Sequence, residues 1–110
     1  MLDAIKDGNL LATDAEGYIV DPSQWTEDFA DEAARREGIT LTSEHWEMIR
    51  FMRVWLEDRG VTPDARHVMK FLAGDREAGR VRLFELFPYG YVKQACKIAG
   101  MRKPRAWSTG

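Results

Sequence analysis

The chain has one cysteine, Cys96, with Lys93 three residues before it and Lys97 directly after it. The thiolate is the nucleophilic form of cysteine, and neighbouring ammonium groups favour it. On that chemistry Cys96 is a candidate sulfur acceptor, with Lys93 and Lys97 as its thiolate-stabilising neighbours. A plainer reading stands beside it. Val92, Ala95 and Ala99 give the same stretch an apolar face, and free cysteine is among the most buried residue types. Sequence leaves both open.

Other chemistry-bearing residues are sparse. His45 and His67 have no partner at ligand spacing, and HEXXH is absent. A single cysteine excludes an intramolecular disulfide and an all-cysteine metal site. No Ser-His-Asp spacing and no glycine-rich phosphate loop is present. Arg50, Arg53 and Arg66 could gather around an anion, or pair with Glu47, Glu57 or Asp64. No metal and no cofactor is expected, and independent catalysis is not; at most the chain is a carrier.

Charge is unevenly placed. Residues 1–85 hold 11 Lys/Arg and all 18 Asp/Glu, whereas residues 86–110 hold five Lys/Arg and no acid. A basic tail on an acidic body suits an anionic partner or an acidic protein surface. Arg102, Lys103, Arg105 and Trp107 are the candidate partner-binding residues of that arm, because Arg and Trp are frequent interface hot spots.

The elements that must position these residues are mostly helical. Short apolar runs at Leu10–Thr13 and Tyr18–Val20 flank Asp14–Gly17 and predict a β-hairpin. A helix is expected from Glu27 to Glu37, capped by Thr26 and closed by Gly38. A second begins at Thr42 or Ser43 and ends near Arg59 before Gly60; Trp46, Phe51 and Trp55 mark it as the central core helix. Thr62-Pro63 predicts the start of a third. A polar linker over Gly74–Gly79 precedes a short fourth, Arg80 to Leu86, stopped by Pro88. A fifth covers Tyr91 to Ala99. The second and third could form a helix-turn-helix for DNA, but an acidic body opposes phosphate binding.

With 110 residues, 45% hydrophobic and 31% charged, the chain reads as one soluble domain: a body over 1–100 and an arm over 101–110. No apolar run approaches the roughly 18–20 residues of a membrane span. The N-terminus shows no signal-peptide pattern. A cytoplasmic protein is expected.

Several segments together resemble a known family. They are Asp14-Ala15-Glu16-Gly17-Tyr18, Trp25, EGITLTSEHWEMIRFMR (Glu37 to Arg53), Thr62-Pro63, LFELFPYGYVKQACKIAG (Leu83 to Gly100) and Lys103-Pro104. They are similar to the DsrC/TusE sulfur-relay proteins, which include the gamma subunit of dissimilatory sulfite reductase. The resemblance implies a small orthogonal bundle of about five helices with an N-terminal β-hairpin and a mobile C-terminal arm. It implies partners among sulfite reductase or sulfur-relay proteins. It also implies a next-to-last cysteine that carries persulfide sulfur, and in some members a second one about eleven residues upstream. Cys96 matches the upstream position, but Trp107 stands eleven residues on and Thr109 is next to last. The expected role is therefore sulfur relay through docking of the arm, with Cys96 the one thiol that could accept sulfur. The alternatives are a non-carrying regulatory or binding member, and the DNA-binding reading.

Overall fold

The computed structural model describes residues 11–102, together with the backbone of residues 5–6 and 9–10. The order is β1 (Ile5–Lys6), β2 (Asn9–Leu10), α1 (Glu27–Glu37), α2 (Ser43–Arg59), α3 (Ala65–Ala73), α4 (Arg76–Leu86), a π-helical turn at Tyr91–Ala95, and α5 (Cys96–Ile98). The mainly helical class with five helices is as expected.

Local chemistry sets the first two long helices. The Thr26 hydroxyl accepts from the Phe29 amide at 3.1 Å, Glu27 and Asp28 occupy the first turn, and Phe29, Ala30, Ala33 and Ala34 form the buried stripe of α1. In α2, Thr42 and His45 close a reciprocal capping box. The Thr42 amide donates to His45 Nδ1 at 3.1 Å, and the His45 amide reaches the Thr42 hydroxyl at 3.5 Å. Two orphan donors are satisfied in this way.

Four expectations need correction. The β-hairpin over Leu10–Val20 is not supported as a pair of strands: it is reduced to one bridge between Thr13 and Ile19. The Asp14 carboxylate accepts from the amides of Glu16 and Tyr18 at 2.9 and 3.0 Å. Such local bonds compete with a ladder. Helix α3 starts at Ala65 rather than at Thr62-Pro63. The Pro63 carbonyl is occupied elsewhere, accepting from the Tyr91 hydroxyl.

Helix α4 begins at Arg76, inside the expected linker, because Asp75 Oδ1 caps the Ala78 amide at 2.9 Å. Gly79 is thus a helix residue, and there it serves packing. A Cβ at Gly79 would lie 1.8 Å from the Met69 carbonyl oxygen, so α3 and α4 meet backbone to backbone. Finally, the core face of α2 is His45, Met48, Ile49 and Met52. Trp46 and Phe51 pack beside that core, partly buried. Phe51 stacks on Phe71, centroids 4.4 Å apart, and the Trp55 ring lies 4.4 Å from His67.

The centre of the core is the C-terminal segment. Tyr91, Ala95, Cys96, Ile98, Ala99 and Met101 are fully buried. A three-residue helix has almost no stability of its own, so this segment is held by its surroundings.

Candidate functional site

Tyr91–Ala95 makes a π-turn that passes directly into α5, with Cys96 as the first α-helical residue. Single π-turns within helices are frequent at functional sites. The segment is fixed by three side chains from elsewhere in the chain and by Gln94 from within it. The Tyr18 hydroxyl donates to the Val92 carbonyl at 2.8 Å. Gln94 is buried; its Oε1 accepts from the Tyr89 amide at 2.9 Å and its Nε2 donates to Glu37 at 3.2 Å. The Trp25 indole Nε1–H donates to the Ile98 carbonyl at 3.0 Å. Arg53 donates to the carbonyls of Ala99 and Gly100 at 3.2 and 3.1 Å, and to Pro22 at 2.8 Å.

The thiol itself is sealed, with 0% of Cys96 exposed. Burial pushes its pKa well above that of an ordinary thiol, and the Tyr91 hydroxyl beside it only partly opposes the rise. The same burial raises Tyr91, and raises Tyr18 to about 12. In this conformation Cys96 is a protonated core residue.

The causes of the Cys96 shift are burial and the Tyr91 hydroxyl, and the two lysines stand apart from them. Lys97 turns to Glu37, Nζ to Oε2 3.5 Å, and lies 5.3 Å from the centroid of the Tyr18 ring. Lys93 is exposed and lines a shallow groove with Glu16, Tyr18, Tyr89 and Lys97. Of the arm residues, Arg102 is exposed; Lys103, Arg105 and Trp107 lie outside the described residues.

Trp25 and Arg53 are the residues whose roles sequence reasoning missed. Arg53 looked like one of three surface arginines, yet its guanidinium sits 4.6 Å above the Trp25 ring and serves three carbonyls. Burial lowers its pKa, opposed by Glu57. Backbone acceptors leave no side-chain signature in a sequence, so no motif announced the role. Among the described residues, no group of three His, Cys, Asp or Glu could hold a metal ion, and no helix is long and apolar enough to cross a membrane.

This fold has known counterparts. The family model for DsrC-like proteins matches residues 6–106. The chain belongs to the DsrC-like family. It is 42% identical over 101 residues to the sulfurtransferase TusE of Pectobacterium atrosepticum, covering 89% of this chain and 93% of that one. It is similar to the oxidized gamma-subunit of dissimilatory sulfite reductase (DsrC) from Archaeoglobus fulgidus, with TM-score 0.79, 33% identity, and 97% and 96% of the two chains covered. It is also similar to DsrC of Allochromatium vinosum, with TM-score 0.78, 38% identity, and 100% and 98% covered. The chain shares its mainly helical fold with these relatives.

Proposed function

We propose that this DsrC-like chain is a cytoplasmic sulfur-relay protein that works by docking its C-terminal segment on a partner of the sulfite reductase or sulfur-relay type. Membership of the family supports sulfur metabolism and displaces the helix-turn-helix reading. The observation that carries the docking mode is the burial of Cys96. To accept sulfur from a persulfide, a thiol must ionise and then attack the outer sulfur in line, forming a new S–S bond as the donor's S–S bond breaks and the donor leaves as its thiolate. A fully enclosed thiol with a raised pKa does neither. Sulfur transfer to Cys96, the single thiol of the chain, therefore requires a partner that opens the helix end; without opening, the chain contributes binding. Arg102, Lys103, Arg105 and Trp107 are the contacts of that docking step.

Two measurements test this. After incubation of the native protein with a persulfide donor, the intact mass should carry no added sulfur, while the unfolded protein should gain one. A sulfur adduct on the native chain would replace docking with direct carriage. Binding to purified dissimilatory sulfite reductase should weaken by roughly tenfold or more when Lys103, Arg105 and Trp107 are all changed to Ala. Equal binding by the triple variant would show that the segment is not the contact.

A further inference from the structure

The end of α5 poses a specific physical problem. The last carbonyls of a helix have no intrahelical donor. Here Ile98, Ala99, Gly100 and Met101 are all buried, so water cannot serve those carbonyls, and buried carbonyls left unpartnered are costly. The chain solves this with side chains from two distant places. Trp25 takes the Ile98 carbonyl, and one guanidinium nitrogen of Arg53 takes both Ala99 and Gly100. The other terminal nitrogen of Arg53 holds Pro22, beside the Trp25 ring.

Three consecutive carbonyls are thus fastened just before the chain reaches the surface. Met101 is tied as well, its amide donating to the Cys96 carbonyl at 2.9 Å, and Arg102 is exposed. Gly100 lies so close to the indole that a Cβ would fall 2.2 Å from Trp25 Cδ1. The guanidinium is a rigid planar fork, so it fixes direction as well as position. A lysine would hold one carbonyl as a point charge and leave the angle free.

We infer that Arg53 and Trp25 are positioning residues for the docking step: they set the place and direction in which the C-terminal segment leaves the body toward its partner. This rests on the docking reading. A purely structural role for the clamp would lower stability and nothing more; a positioning role couples Arg53 to the segment itself.

The test is a double-mutant cycle on the full chain with purified dissimilatory sulfite reductase as probe. Arg53→Met should weaken binding by roughly tenfold in the otherwise unchanged chain. In the chain whose Lys103, Arg105 and Trp107 are already Ala, it should weaken binding no further. Equal weakening in both backgrounds, or none in either, overturns the inference. A second readout needs no partner. Amide exchange at Met101 should accelerate in Arg53→Met by roughly tenfold while the amides of α2 from Met48 to Met52 keep their protection. Arg53→Lys should follow Arg53→Met, because charge without the fork does not restore the geometry. If Met101 exchanges no faster, or only in step with α2, the clamp does not position the segment. Failure of the docking reading leaves the exchange result intact, so the two failures are distinguishable.

Discussion

The Nε2–H of His45 donates to the carbonyl of Leu86 at 2.8 Å, joining the first turn of α2 to the last residue of α4. That bond fixes the tautomer. With Nε2 protonated, a neutral ring keeps Nδ1 free to accept from the Thr42 amide. One imidazole therefore closes a helix cap and bridges two helices, with the Phe87 ring edge-on to it at 5.0 Å.

Replacement of His45 by Ala removes both functions. Loss of a cap costs about 1 kcal/mol, and an unpaired buried carbonyl about 1–3 kcal/mol more. A loss of about 2–4 kcal/mol is expected in urea unfolding. A shift of only a few tenths would mean that water replaces the ring at no cost.

Gly79→Ala separates two opposing effects. By helix propensity, alanine should stabilise α4 by about 1 kcal/mol. The added methyl would overlap the Met69 backbone, with Cβ 1.8 Å from the carbonyl oxygen. Backbone cannot swing aside as a side chain can, and overpacking costs about 1–3 kcal/mol or more. The expected result is a net loss of stability together with altered amide shifts in both α3 and α4. A stabilised Gly79→Ala protein would disprove the backbone contact.

Gly100→Ala should be worse. Gly100 has φ +78°, where a Cβ is strained, and the Trp25 ring occupies the space that the methyl needs. Trp25 must move, and its bond to the Ile98 carbonyl goes with it. A melting temperature lowered by several degrees and an altered indole Nε1–H resonance are expected. An unshifted indole signal would place the ring elsewhere.

Alkaline pH should destabilise the protein through Cys96. Its pKa is raised by burial from the ordinary 9.0, so the folded form holds its proton while the unfolded chain releases it. The unfolded state then binds fewer protons, and stability falls as pH rises. The contribution is complete below pH 9.0 and is lost above it at about 1.4 kcal/mol per pH unit. Tyr18, raised from 10.0 to about 12, adds a loss of the same sign from pH 10.0 upward. Cys96→Ala should flatten the profile between those two onsets. Denaturant titrations at closely spaced pH values decide it: a wild-type profile as flat as the variant would contradict a buried, protonated thiol.

Much of the helical frame could be read from the sequence because its signals are local. Thr26 and Gly38 bound α1, and Thr42 and Gly60 bound α2, at the expected residues. Asp75 capped a helix where Gly74 and Gly79 suggested a linker, since glycine marks a loop or a close helix contact with the same letter. The aromatics of α2 were expected at the centre, but Met48, Ile49 and Met52 sit there. Large rings with partners on α3 can line a flank instead. At the site, the importance of the Cys96 stretch was legible from composition and resemblance. Its burial was not, because Lys93 and Lys97 flank Cys96 in sequence, whereas in space Lys97 pairs with Glu37 and Lys93 is exposed. The clamp of Trp25 and Arg53 was hidden for a related reason: its acceptors are peptide groups dozens of residues away.

The π-turn ahead of Cys96 has a further consequence. Such a turn takes up one residue more than an α-turn, and each residue of an α-helix advances the angular phase by about 100°. The extra residue is therefore absorbed inside Tyr91–Ala95, and the side chains of α5 keep the phase they would have after an ordinary α-turn one residue shorter. A deletion within the turn would keep the sulfur inside, whereas a deletion in a plain α-helical stretch has no such slack and would turn the residues after it by that angle. The inward setting of the sulfur is thus buffered against a change of one residue in the chain just ahead of it.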